Sequence, residues 1–95
     1  PMSEIASQYR VTILATGVKT LGLSPKYSHH QIAVEGATGD VTVKFRPVGF
    51  DDYQSVTDNV LEQNSSAVFV LGSVESVELT PTDTGVSYSL TVSSF

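Results

Sequence analysis

His29 and His30 stand side by side, and they are the only histidines in the chain. Imidazole is the commonest metal ligand and the usual general base near neutral pH, so the pair is the first place to look for chemistry. Neighbouring residues on a strand point to opposite faces, so both could reach one ion only from a loop. The chain offers no cysteine and no third histidine to complete a ligand set. Residues 26–30 read as loop with the histidines at an exposed tip, and no metal is expected. Asp51, Asp52 and Asp58 form the densest acidic group, but calcium loops space their oxygen ligands at alternate positions and this group does not. A turn or capping role accounts for Asp51 or Asp52 more simply. The remaining carboxylates are too scattered to nominate a glycosidase pair.

Nucleophilic catalysis needs a serine or cysteine, a base and an orienting group. Serines are plentiful, but none sits in a Gly-x-Ser-x-Gly elbow. Most alternate with apolar residues, as on a solvated β face. Gly36 and Gly39 lie between two apolar alternations rather than at the opening of a helix, so no phosphate-binding loop is expected. Asn64-Ser65-Ser66 matches a glycosylation acceptor, but reads as a turn. No catalytic residue, cofactor or metal site is therefore assigned. Among the aromatics, Tyr9, Phe45 and Tyr88 fall on apolar faces and read as core. Tyr27, Phe50 and Tyr53 lie in loop-like context, where they would stack on a sugar, fill a partner's pocket or be buried under the loops.

The elements that hold these residues are strands. Val, Ser and Thr dominate the chain, while strong helix formers are sparse. Residues 9–15 alternate with Tyr9, Val11, Ile13 and Ala15 on one face. Gly17 breaks the run, Leu21 and Leu23 resume it briefly, and Pro25 marks an edge or loop. Ile32 and Val34 share a face, as do Val41, Val43 and Phe45. The intervening residues 36–40, with two glycines able to take positive φ, are expected to close a hairpin. Residues 47–66 are the least legible, with a helical turn or loop near 50–53, a short strand at 60–62 and a polar turn at 63–66. Ser55, Thr57, Asp58 and Asn59 disfavour a longer helix. Residues 67–71 are apolar on both faces, so one face needs a cover beyond a two-layer fold. Phe69 and Leu71 head that candidate interface, with residues 47–66 as the cover should the chain stand alone. Val77 and Leu79 alternate with polar neighbours, residues 81–85 turn, and Val86, Tyr88, Leu90 and Val92 form the cleanest alternation.

The count of seven or eight short strands predicts an all-β fold, a single antiparallel β-sandwich of jelly-roll or Ig-like type. The chain of 95 residues suffices for one domain, and Pro1 before Met2 reads as a cleavage remnant. Without disulfides, stability must come from packing, ladders or partner chains. Ten acidic against five basic residues disfavour nucleic acid as a partner. No apolar run is long enough to span a bilayer, and no signal-peptide pattern opens the chain.

One stretch carries a resemblance. A strand ending at Gly72, then Ser73-Val74-Glu75-Ser76-Val77-Glu78-Leu79-Thr80-Pro81, a turn with Gly85, and Tyr88-Ser89-Leu90-Thr91-Val92 resemble the C-terminal hairpin of small bacteriophage virion proteins. These are capsid decoration, fibre-base or tail accessory subunits. The resemblance implies a non-enzymatic structural protein, made in the bacterial host cytoplasm and residing in the virion. It also implies a homo-oligomer, in the first instance a trimer, docked on a capsid or tail protein. The rival expectation is a free-standing recognition module, such as a carbohydrate-binding sandwich using Tyr27, Phe50 or Tyr53.

Overall fold

A computed structural model describes residues 9–95; Pro1, read as a cleavage remnant, lies outside them. Period-two alternation becomes eight strands: β1 (Tyr9–Thr16), β2 (Lys19–Gly22), β3 (His29–Glu35), β4 (Val41–Pro47), β5 (Gln54–Leu61), β6 (Ser65–Val70), β7 (Val74–Pro81) and β8 (Ser87–Ser94). They form two four-stranded sheets, ordered β1-β8-β3-β6 and β2-β7-β4-β5, with every described strand pair antiparallel. That order, in which all sequence-adjacent strands but β4 and β5 pass from sheet to sheet, is a jelly roll. It decides between the two sandwich types the sequence left open.

The inward faces meet in one apolar layer. Ile32, Val41, Val43, Val77, Leu79, Leu90 and Val92 have no exposed surface, and Phe45 and Tyr88 have almost none. β8 follows its expected register, with Tyr88, Leu90 and Val92 inside. Ser94 continues the same parity and is also buried. The Tyr88 hydroxyl donates to the Gly17 carbonyl at 3.0 Å, tying β8 to the turn after β1, where Gly17 takes φ +73°. Tyr9, expected in the core, is 39% exposed. It is the first residue of edge strand β1, paired with Ser94 on one side and with no strand on the other among the described residues.

Residues 36–40 do not close a hairpin. β3 and β4 belong to different sheets, so the segment crosses the sandwich, with Gly36 and Gly39 at positive φ as expected. The turn at 81–85 likewise carries the chain between sheets, so the C-terminal strands are not a hairpin either. The connections are pinned to one another. Asn64, itself at φ 55°, accepts the Gly36 amide at 2.7 Å, and Asp40 accepts the Thr82 amide and hydroxyl, each at 2.9 Å.

Residues 54–61, read as loop before a short strand, form the full edge strand β5. Its register against β4 slips between Thr42 and Lys44. Asp58, at φ 54°, makes the bulge, and the Asn59 side chain donates to the Val43 carbonyl at 2.8 Å, supplying the bond the ladder skips there.

Candidate interaction surface

The histidines sit on β3 rather than on a loop tip. As strand neighbours they face opposite ways: His30 is fully buried, while His29 is half-exposed and stacks on Phe95 at 5.1 Å between ring centres. His30 Nδ1 lies 2.8 Å from the Ser94 hydroxyl, and its ring is tilted against Phe45. Burial lowers the His30 pKa; the Tyr27 backbone opposes that shift and His29 adds to it. Nε2 is buried without a hydrogen bond of good geometry, and the ring's side-chain partner is reached through Nδ1. Among the described residues, no three His, Asp or Glu side chains gather closely enough to hold a metal ion. Asp51, Asp52 and Asp58 are all exposed.

The surface with most character lies where the two sheets part, between edge strands β5 and β6. Phe45 from β4 and Phe69 from β6 approach to 5.2 Å between ring centres and floor the opening. Above them, a cleft of about 300 Å³ is lined by Phe45, Gln54, Val56, Leu71 and Val74. A second cleft of about 390 Å³ is lined by Val56, Thr57, Phe69 and Leu71 together with Val68 and Val70. Val56 and Leu71 line both, so the two form one groove along the open side of the sandwich. Its rim is apolar: Val68 is 49% and Val70 65% exposed.

This placement corrects the expected interface. Phe69 is only 6% exposed, so it serves the core and the groove floor rather than an outer face, and Leu71 is half-buried. The reason is register. Phe69 pairs with His30 and Val70 with His29, so the parity that buries His30 buries Phe69 and turns Val68 and Val70 outward. Of the strand's two apolar faces, the one left in water is the valine face.

The loop aromatics do not form a common platform. Tyr53 is half-buried, its hydroxyl 2.6 Å from that of Ser76 and its ring 5.9 Å from the Arg46 guanidinium. Arg46 also pairs with Glu75 and donates to the Phe50 carbonyl. Phe50 is about half-exposed. Tyr27 is half-buried and lies beneath Lys26, 5.2 Å from its ammonium. A shallow depression of about 320 Å³ on the outer face of the β1-containing sheet is lined by Glu35, Asn64, Ser66, Ser89 and Thr91. Hydroxyls dominate it, and Glu35 is its single carboxylate.

No family model matches the chain, and no curated protein matches it in sequence. Among solved structures, it is similar to the SPBc2 prophage-derived protein YomS, with TM-score 0.64 and 9% identity over 93% of this chain and 95% of that one. It is similar to the Aeromonas hydrophila periplasmic g-type lysozyme inhibitor PliG, with TM-score 0.57 and 14% identity over 93% and 86%. A Bacillus endospore appendage protein, from a family of disulfide-linked pili, gives TM-score 0.51 and 17% identity over 92% and 85%. At these identities the likeness is one of fold.

Proposed function

We propose that the chain is a non-enzymatic structural subunit of a bacteriophage virion, which associates with itself and docks on a capsid or tail surface. One observation carries the reading. The space between the sheets is occupied by aliphatic and aromatic side chains, while exposed valines are gathered along the β5–β6 opening. An interior packed in this way leaves little room for a substrate, and an apolar rim on an open edge favours contact with another protein. The likeness to a prophage-derived protein of nearly the same extent supports the phage setting. The rival reading, a carbohydrate-binding module, is less favoured because Tyr27 and Tyr53 are half-buried and engaged by neighbouring side chains.

Mass spectrometry of phage particles purified from the host that carries the gene tests the assignment. The expected result is a constant copy number relative to the major capsid protein. Recovery of the chain solely from the particle-free lysate overturns it.

A further inference from the structure

Each sheet of the sandwich ends in two edge strands, and three of the four are protected. β1 carries Arg10, β2 is four residues long and carries Lys19, and β5 carries Asp58 in its bulge. Charge, brevity and bulges are the devices by which edge strands avoid pairing with other chains. β6, Ser65-Ser66-Ala67-Val68-Phe69-Val70, has none of them: no charge, no proline and no register break against β3.

The direction of its backbone groups follows from the ladder on its other side. The Leu71 amide donates to Ser28, and His29 exchanges both its backbone bonds with Phe95 on the far side of β3. Leu71, Phe69 and Ala67 therefore bond toward β3. Ser66, Val68 and Val70 send their N–H and C=O groups outward, where the sheet has no further strand among the described residues. Two of these three residues are the exposed valines of the rim.

We propose that β6 of one copy pairs antiparallel with β6 of a second copy across a two-fold axis at Val68, joining the two β1-containing sheets into one. This rests on the self-association in the proposed function and specifies its geometry, with a two-fold pair in place of a three-fold ring. The register follows from the outward groups. Centring on Val68 sets Ser66 opposite the partner's Val70 and Val68 opposite the partner's Val68, so each outward N–H and C=O on both strands gains a partner. The chain carries a net charge of −5, which opposes self-association in general. Because β6 is uncharged, this pairing sets no like charges directly opposite each other. Cross-strand contacts between Val68 and Val70 of the two copies also withdraw part of the valine face from water.

Light scattering coupled to gel filtration, with Val68→Lys and a Leu14→Lys control on β1, tests the proposal. The wild type and the control should reach about twice the 10.1 kDa chain mass at high concentration. Val68→Lys sets two lysines directly opposite each other, their Cα atoms about 5.5 Å apart across the axis, and should return the monomer mass with an unchanged circular dichroism spectrum. Should Val68→Lys fail to fold, Val68→Pro removes an outward donor and no bond to β3, and it should give the same monomer. Amide exchange on the wild type supplies an independent reading, in which Ser66, Val68 and Val70 gain protection as concentration rises. An oligomer whose mass is unmoved by either Val68 variant overturns the β6 pairing and leaves self-association standing. A wild type that stays monomeric at millimolar concentration overturns both, and the particle experiment then decides the virion assignment separately.

Discussion

His30 spends no surface on solvent, and its ring meets the Ser94 hydroxyl through Nδ1. Because burial lowers its pKa below the ordinary histidine value, the unfolded chain binds a proton that the native chain refuses in the window between the two values. Stability is therefore fully present above about pH 6.5 and falls as pH drops below it toward the folded value. Denaturant midpoints should be lower at pH 5.5 than at pH 7.5. His30→Gln should remove most of that difference and His29→Gln should keep it; an equal difference in both variants would place the titrating group elsewhere. The burial of His30 was written in its parity with Ile32 and Val34. It was obscured because Pro25 and the polar residues around it made the segment look like loop. Asn64 works at the same scale. Its positive φ and its bond to the Gly36 amide mean that Asn64→Ala should cost about 1–2 kcal/mol, combining lost hydrogen bond and strained backbone. Asn64→Gly keeps the backbone relaxed and should cost less than about 1 kcal/mol. Thermal or urea unfolding of the two variants checks the order, and equal losses would show that the strain contributes nothing.

β8 and β4 were legible because each is an interior strand whose strict alternation puts one face into the core, so pattern and packing agree. β5 was not legible, since its apolar positions Val56 and Val60 are separated by the bulge at Asp58, and an edge strand has little buried surface to impress on its sequence. β6 was legible as a strand but not as a facing, because both its faces are apolar and only pairing with β3 chooses between them. That choice makes a sharp expectation. Phe69→Glu puts a carboxylate among Phe45 and the groove floor, at a cost of several kcal/mol, comparable with the whole stability of a small domain. It should not fold. Val70→Glu, on a side chain 65% exposed, should give a folded protein with a β spectrum. Circular dichroism and urea titration of both variants check this, and the reverse outcome would mean that β6 is out of register with β3 by one residue.

The route of the chain between its sheets left no local signature. Packed sheets lie about 10 Å apart, and five residues can span roughly 16–18 Å, so residues 36–40 serve a hairpin or a crossing equally well. The same holds for residues 81–85. What separates the two topologies is long-range pairing: β1 lies against β8, with Thr16 and Ser87 joined by a hydroxyl contact across 71 positions of sequence, and β3 sits between β8 and β6. A hairpin-built sandwich would form most of its ladder from neighbours. This one must close long loops before its central strands, β8 and β3, have partners, and that entropy is lost before any burial offsets it. Refolding should therefore fall in the range of about milliseconds to seconds typical of non-local β folds, not in microseconds. Stopped-flow dilution from urea, followed by tyrosine fluorescence, measures it. Tyr88 is a suitable reporter because its burial and its bond to Gly17 both require β8 to be docked beside β1. Complete recovery of the native signal within the dead time would mean that local pairs dominate, and the β1–β8 pairing would then be the part of the topology to doubt.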